Sequence, residues 1–506
     1  MRISINKTIS TPIYIQIKNE IREMIYAGTL PKSFSLPSER KLAEELGVSR
    51  STVIKAYEEL KTLGLLDSHM GKGTKVIIEN YNQLLNNEKH TLPLSWYQFF
   101  DSNIAPANDH TIIDIIDMIE CKNTIYFSGG IADPELYPVD TIHRLQENLY
   151  KKCGKDMLNY SAVEGYYPLR DSISQLMKLR HISSSPKEIM ILSGSMQGMD
   201  FIARTFITPR DVVIVEEPTF MGALQSFKLA GAKVIGVPMD EEGIKTDILE
   251  ILLNKYKPKF IYTIPTFQNP SGTLMSLERR YKLLELAYKY QVPIIEDDPY
   301  GELRYEGNPI PSLKSLDQYG YVIYLSTFSK ILFSGMRVGW IVAPSPVIKK
   351  FSIIKQMTDL HTNVPSQYIL DSFLREGLYE DHIKSICREY EHKRNVMVKA
   401  LKKKKNSGIS FEIPRGGYYI WCKIPDGILQ PQLLLKSSHK GIVYTPGNVF
   451  YPEETDGNNY IRLNFTFENT KNICYGIDKL LEAVEESASE IDPLSDYKQS
   501  LKKPIV

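Results

Sequence analysis

A chain of 506 residues is longer than one hydrophobic core ordinarily serves, and it points to two or more domains. Its 42% hydrophobic and 24% charged residues are globular proportions, which excludes a disordered chain. The formal net charge of +1 hides an asymmetry: residues 1–78 carry 12 Lys and Arg against 8 Asp and Glu, so the basic excess is N-terminal.

Cysteines 121, 153, 387, 422 and 474 are odd in number and lack paired metal spacing, so reduced thiols, no disulfide and no metal are expected. Met1 to Lys7 leads into no long apolar stretch, and no run of ~20 apolar residues follows elsewhere. Neither a signal peptide nor a membrane contact is expected, and the chain reads as cytoplasmic.

From Pro12 to Leu63 the apolar pattern is helical: Ile13, Ile17, Ile21 and Ile25, then Leu42 and Leu46, then Val53, Tyr57 and Leu60. Three short helices are predicted. Gly47 ends the second and Ser49 caps the third, as in a helix-turn-helix. Leu65–Ser68 and Thr74–Ile78 read as two strands joined through Gly71-Lys72-Gly73.

The runs Leu36-Pro37-Ser38-Glu39-Arg40-Lys41-Leu42-Ala43, Val48-Ser49-Arg50-Ser51-Thr52-Val53, Ala56-Tyr57 and Gly71-Lys72-Gly73-Thr74 resemble the winged helix-turn-helix of GntR-type bacterial regulators. A helix beginning at Arg50 would place Arg50, Ser51, Thr52 and Lys55 near the end that meets base edges and phosphates. Ser49 would cap that end, and Lys72 on the wing would reach the flanking backbone or minor groove. The resemblance also implies DNA contacts for Arg40 and Arg50. Any one of these basic residues alone reads as a solvated helix face; together they point to a double-stranded DNA operator.

Residues 79–122 lack sustained periodicity and read as a linker with one helix near Ile112 to Ile119. Beyond it, apolar runs at 188–192, 211–215, 260–264, 292–296 and 321–325 alternate with helical patterns, predicting an α/β domain with a mostly parallel sheet over 123–486. The polar stretch 487–506 is expected to be a loose tail.

The strongest chemical signal is Ser326-Thr327-Phe328-Ser329-Lys330 followed by Ser334-Gly335-Met336-Arg337. A lysine at a strand end can form a Schiff base with an aldehyde cofactor, and the hydroxyls and guanidinium beside it suit a phosphate. Alone, a Lys and an Arg seven residues apart read as a surface pair. With Gly194-Ser195-Met196-Gln197-Gly198, Gln268-Asn269-Pro270-Ser271-Gly272 and Ile295-Glu296-Asp297-Asp298-Pro299-Tyr300-Gly301, however, the set resembles the fold-type-I aminotransferases of the aspartate aminotransferase group through most of residues 126–485.

That resemblance implies pyridoxal 5′-phosphate (PLP) on Lys330, with Thr327 and Arg337 at its phosphate. Ser195 and Met196 fall in the phosphate loop, Asp297 against the pyridine nitrogen, and Tyr300 and Asn269 on the ring oxygen. Phe220, where a tyrosine is expected among related regulators, would stack on the ring without a hydroxyl. Arg462, in Tyr460-Ile461-Arg462-Leu463-Asn464, would hold a carboxylate of an amino acid effector or substrate. Pro414 to Tyr419 and Thr445-Pro446-Gly447 match the small subdomain. Tyr160 matches a residue acting on the neighbouring subunit's phosphate, which implies a homodimer.

A GntR-type winged helix followed by an aminotransferase-like domain looks like the MocR-type regulators, which respond to PLP, alone or with an amine. The alternative is a working aminotransferase carrying a DNA-binding appendage. A plain metabolic enzyme without DNA binding does not account for residues 10–78.

Overall fold

The computed structural model describes residues 12–26, 29–69, 73–77, 124–403, 408–453 and 456–490, and the chain divides into two compact units, 1–100 and 101–506. The wing tip with Lys72, the linker, its expected helix at 112–119 and residues beyond 490 lie outside the described residues.

In the first unit, α1 (Ile13–Tyr26), α2 (Glu39–Leu46) and α3 (Arg50–Thr62) precede an antiparallel pair, β1 (Leu66–His69) and β2 (Gly73–Val76). The fourfold spacing of Ile17, Ile21 and Ile25 turns one stripe of α1 onto Leu42, Val53, Tyr57 and Leu60, all buried. Local chemistry sets the turn. Ser38 Oγ accepts from Lys41 N to open α2; Gly47 closes it at φ 61°, a conformation that costs a Cβ-free residue nothing; Ser49 Oγ accepts from Thr52 N at 3.2 Å to open α3. Tyr57 Oη donates to Pro37 O at 2.9 Å and ties α3 to the loop before α2.

The second unit opens with β3 (Ile125–Tyr126) and is built on eight strands: β4 (Ile189–Leu192), β5 (Val212–Glu217), β6 (Lys233–Asp240), β7 (Gly243–Ile244), β8 (Ile261–Thr263), β9 (Ile294–Asp297), β10 (Val322–Thr327) and β11 (Gly339–Val342). Their order is β4-β11-β10-β9-β8-β5-β6-β7. The five apolar runs of the sequence supply β4, β5, β8, β9 and β10. The run β10-β9-β8-β5-β6 is parallel, whereas β11 is antiparallel to both neighbours and β7 to β6. Helices cover both faces, and β4, β9, β10 and β11 are buried along their whole length, as strands covered on both sides must be.

A smaller sheet, β12 (Ser410–Phe411), β13 (Tyr419–Lys423), β16 (Tyr460–Asn464) and β15 (Thr445–Pro446), follows the helix Leu378–Lys403. Between them in sequence, β14 (Ile442–Val443) pairs in parallel with β3. The last helix, Thr470–Ser489, runs past the expected boundary at 486 because Ala483, Val484 and Ser487 are still buried against the core. No helix of the described residues is long and apolar enough to cross a membrane. The carboxyl ends of β8, β9 and β10 lie side by side, where open α/β sheets carry ligands.

Candidate cofactor site

β4 delivers the chain to Gly194 (φ 93°), and the helix Ser195–Phe206 starts there, so Ser195 and Met196 stand in a first turn whose backbone N–H groups have no helical acceptor. A Cβ at Gly194 would collide with Arg337. Arg337, itself at φ 52°, donates through Nη2 to Ser193 O at 3.1 Å and through Nη1 to Ser334 O at 3.2 Å, with Ser329 Oγ 3.5 Å away. Thr327 is buried behind them. Its Oγ1 donates to Val338 O at 3.2 Å and accepts from Ser329 N at 3.1 Å, so Ser329 presents the nearer hydroxyl to Arg337. A helix N-terminus, a guanidinium and hydroxyls around one point suit a dianionic phosphate.

At the end of β9, Asp297 is buried and its Oδ2 accepts from Tyr262 Oη at 2.8 Å, while its Oδ1 has no partner. Burial pushes its pKa up to about 7 against the pull of the Tyr262 hydrogen bond. Among the described residues no cationic group donates a hydrogen bond to it, although the Lys330 amine pulls its pKa down. Phe220 opens the helix Met221–Leu229, half-buried, with Met196 beside it across Gly222.

Tyr300 and Asn269 are both buried. Tyr300 Oη donates to Tyr419 Oη at 3.2 Å, and Asn269 Oδ1 accepts from Arg462 Nη1 at 2.9 Å. Arg462 also donates through Nη2 to Ser128 O at 2.5 Å and Thr445 Oγ1 at 3.1 Å, and lies between the rings of Tyr419 (4.1 Å) and Phe450 (4.8 Å). Its Nε is buried and unpartnered.

Lys330 Nζ donates to Gly130 O at 2.5 Å, and Tyr418 Oη holds the Lys330 carbonyl at 2.5 Å. A Cβ at Gly130 would stand 2.5 Å from Tyr419 Oη and 3.1 Å from Lys330 Nζ, so glycine leaves the amine its space. Burial is the largest influence on this amine and lowers its pKa; Arg462 and Arg337 act in the same direction, Tyr419 and Asp297 against it. A neutral amine is the nucleophilic form.

The structure thus brings Lys330, Asp297, Tyr300, Asn269, Arg337, Ser195 and Arg462 around one site with Thr327, Met196 and Phe220 at its margins. Tyr160 stands apart from them, 84% exposed, its ring edge-on to His361 at 5.6 Å. Two residues were not foreseen in their roles. Tyr262 orients Asp297, and the signal was a lone phenol in a buried apolar strand, which requires a partner. Tyr419 joins Tyr300, Arg462 and the Lys330 amine, and its signal was the Gly416-Gly417-Tyr418-Tyr419 run.

In the first unit, Arg40, Ser49, Arg50, Ser51 and Lys55 are exposed and Thr52 is half-buried. Arg50, Ser51 and Thr52 form the first turn of α3. Ser49 Oγ, besides its capping bond, lies 2.9 Å from Ser51 Oγ and 2.7 Å from Thr52 Oγ1. Lys55 Nζ rests 4.2 Å over the Tyr14 ring, and Arg40 makes an exposed 3.2 Å pair with Glu44, a contact worth little in water.

Residues 13–76 match the model of bacterial regulatory proteins of the gntR family, and residues 136–480 that of aminotransferase class I and II. The uncharacterized HTH-type transcriptional regulator YisV of Bacillus subtilis is 33% identical over 472 residues, covering 93% of this chain and 96% of its own. The chain belongs to the MocR-type regulators of the gntR family. The probable rhizopine catabolism regulatory protein MocR of Rhizobium meliloti is 27% identical over 87% of this chain and 88% of its own. Among solved structures, the multiple substrate aminotransferase of Thermococcus profundus superposes with a TM-score of 0.75 at 36% identity, over 79% of this chain and all of its own.

The MocR-type architecture and the aminotransferase fold make PLP the cofactor, and the donor set fits it. Asp297 Oδ1 is an orphaned buried acceptor of the kind a pyridinium N–H satisfies, and Arg337 with the first turn at Ser195 forms an anion cradle. Gly130 leaves clearance beside Lys330.

Proposed function

We propose that this MocR-type chain is a PLP-dependent transcription regulator acting in the cytoplasm, in which the ligand state of the site at Lys330 sets affinity for a double-stranded DNA operator. Residues 10–78 form the DNA-binding domain, 79–122 the linker and 123–489 the PLP-binding domain, whose last helix ends at Ser489. The observation that carries this reading is a full set of cofactor-directed side chains, with Asp297 Oδ1 unpartnered, in the same chain as a capped helix whose exposed first turn is Arg50-Ser51-Thr52.

Lys330 would be the residue that holds PLP through its amine. Arg337, Thr327, Ser195 and Met196 hold the phosphate, Phe220 packs on the ring, and Asn269 and Tyr300 hydrogen-bond the ring oxygen. Asp297, oriented by Tyr262, would accept through Oδ1 from a protonated pyridine nitrogen. When bound, PLP supplies an electron-withdrawing ring that weakens bonds at the carbon of an attached amine. Arg462 presents a planar donor fork to the carboxylate of an amino acid or related amine effector, its Nη1 giving up the hydrogen bond it donates to Asn269 Oδ1. Tyr160, exposed in one chain, reaches the phosphate of a second copy, so the functional unit is a homodimer. On DNA, Arg50, Ser51, Thr52 and Lys55 meet base edges and phosphates, Ser49 and Arg40 contact the DNA beside them, and Lys72 meets the flanking backbone or minor groove.

The test compares two activities of the PLP-loaded protein. DNA from its own upstream region should bind with an affinity that changes on adding PLP or amino acids, without repeated turnover of amino acid and oxo acid. Sustained turnover with ligand-independent DNA binding would make it an aminotransferase with a DNA-binding appendage.

A further inference from the structure

Buried polar atoms without a partner mark the cofactor site at Asp297 Oδ1 and Arg462 Nε, and three more are concentrated in one other place. Asp298 Oδ1, Arg304 Nη1 and Arg180 Nε all belong to residues lining a cavity of about 920 Å³ that shares no lining residue with the set around Lys330. The volume lies within the range of small-molecule sites.

The polar groups there are held in place. Asp298 is 7% exposed, and its Oδ2 accepts from Tyr324 Oη at 2.7 Å, which leaves Oδ1 fixed and free. Arg180 Nη1 donates to the same Tyr324 Oη at 2.8 Å and lies 3.9 Å from Asp298 Oδ2, and Nη2 pairs with Glu302 and donates to Tyr379 Oη at 3.4 Å, which leaves only Nε without a hydrogen bond. The Arg304 guanidinium forms no hydrogen bond or ion pair among the described residues and lies 4.9 Å over the Phe267 ring. Leu176, Ile182 and Ile310 give the cavity apolar wall.

The Arg304 Nη1 and Arg180 Nε donors and the Asp298 Oδ1 acceptor, each buried without a hydrogen bond, match a ligand that offers both an acceptor and a donor end. The apolar wall calls for a hydrocarbon side chain. We propose that this cavity is a second, noncovalent site for an apolar α-amino acid, whose carboxylate meets Arg304 and Arg180 and whose ammonium meets Asp298. It is separate from the effector site at Arg462. Asp298 directly follows Asp297, and its carbonyl accepts from Ser326 Oγ at 2.6 Å while its N–H donates to Leu325 O at 2.8 Å. Occupancy therefore bears on the segment that positions Asp297 and Tyr300.

The test uses the full-length holo-protein after borohydride reduction, which fixes the cofactor to its lysine and bars covalent capture of an amine. L-leucine and L-phenylalanine are titrated by calorimetry, with isoamylamine and 4-methylpentanoate as single-charge controls. We expect saturable binding of at least one amino acid in preference to both controls, weakened about tenfold or more by Arg304→Gln and kept by Arg462→Gln. A photo-reactive leucine should label peptides containing Leu176 or Ile310 in the unmutated protein, a readout that does not depend on how the variants fold. Absence of saturable binding, loss of binding with Arg462→Gln but not Arg304→Gln, or labelling confined to peptides around Lys330 would overturn the proposal.

Discussion

Replacing Asp297 by Asn should make the cofactor-free protein more stable at alkaline pH even as it damages cofactor binding. Asp297 is 3% exposed, and burial raises its pKa from 3.8 to about 7. A folded-state pKa above the unfolded one means that the group's stabilising contribution is complete below about pH 4 and is lost as pH rises through about 7. Above that, ionising the buried carboxylate costs the difference, (7 − 3.8) × 1.36, or about 4 kcal/mol. Asn keeps the side-chain size and an acceptor for Tyr262 Oη without the charge. The apo variant should therefore exceed the apo wild type by up to about 4 kcal/mol at pH ~8, with the gap shrinking as pH falls towards ~4. Glu296, also pushed up to about 7 by burial, is common to both proteins and drops out of the comparison. PLP should reverse the ranking, because Asn cannot hold a pyridinium as a carboxylate does. Denaturant unfolding of both forms across this pH range measures the gap. A cofactor-free variant less stable than wild type at pH ~8, or a gap that ignores pH, would refute the reasoning.

Tyr262→Phe removes the one hydrogen bond to the Asp297 side chain among the described residues and should weaken PLP binding about tenfold, read by absorbance titration; unchanged affinity would deny Tyr262 its orienting role. Arg50→Ala should lower operator affinity by ~1–3 kcal/mol, or roughly ten- to a hundredfold, in an anisotropy titration while leaving PLP loading intact. Sedimentation of the intact protein should give about twice the 57.9 kDa chain mass, and a monomer that still loads PLP tightly would require a local role for Tyr160.

Much of this was legible in the sequence because it rests on local chemistry. The caps at Ser38 and Ser49, the left-handed Gly47 and the isoleucine stripe of α1 each declare themselves within a few residues. Lys330, Asp297 and Arg462 were legible for another reason, since each occupies a motif with its own spacing. What stayed hidden depends on which strands become neighbours. Tyr262 reaches Asp297 because β8 and β9 pair in parallel with Tyr262 opposite Ile295, a register no local pattern reveals. The junction of Tyr419 with Tyr300 likewise brings together residues 119 positions apart. β11, antiparallel between β4 and β10, was not singled out either, because its apolar run does not announce its direction. The cavity at Asp298 and Arg304 gave no signal in sequence, since its three unpartnered atoms come from segments whose proximity is purely tertiary.

The central claim, that the site at Lys330 governs DNA binding, is tested most directly by titrating upstream DNA with full-length wild-type protein and with Lys330→Ala, each with and without PLP and amine. A ligand shifts an equilibrium only through its different affinity for the two states, so a chain that cannot link PLP covalently should lose the response while keeping its basal affinity. The two proteins should bind DNA equally without cofactor, with a ligand-dependent change in the wild type alone. The same ligand-dependent change in Lys330→Ala would contradict the claim.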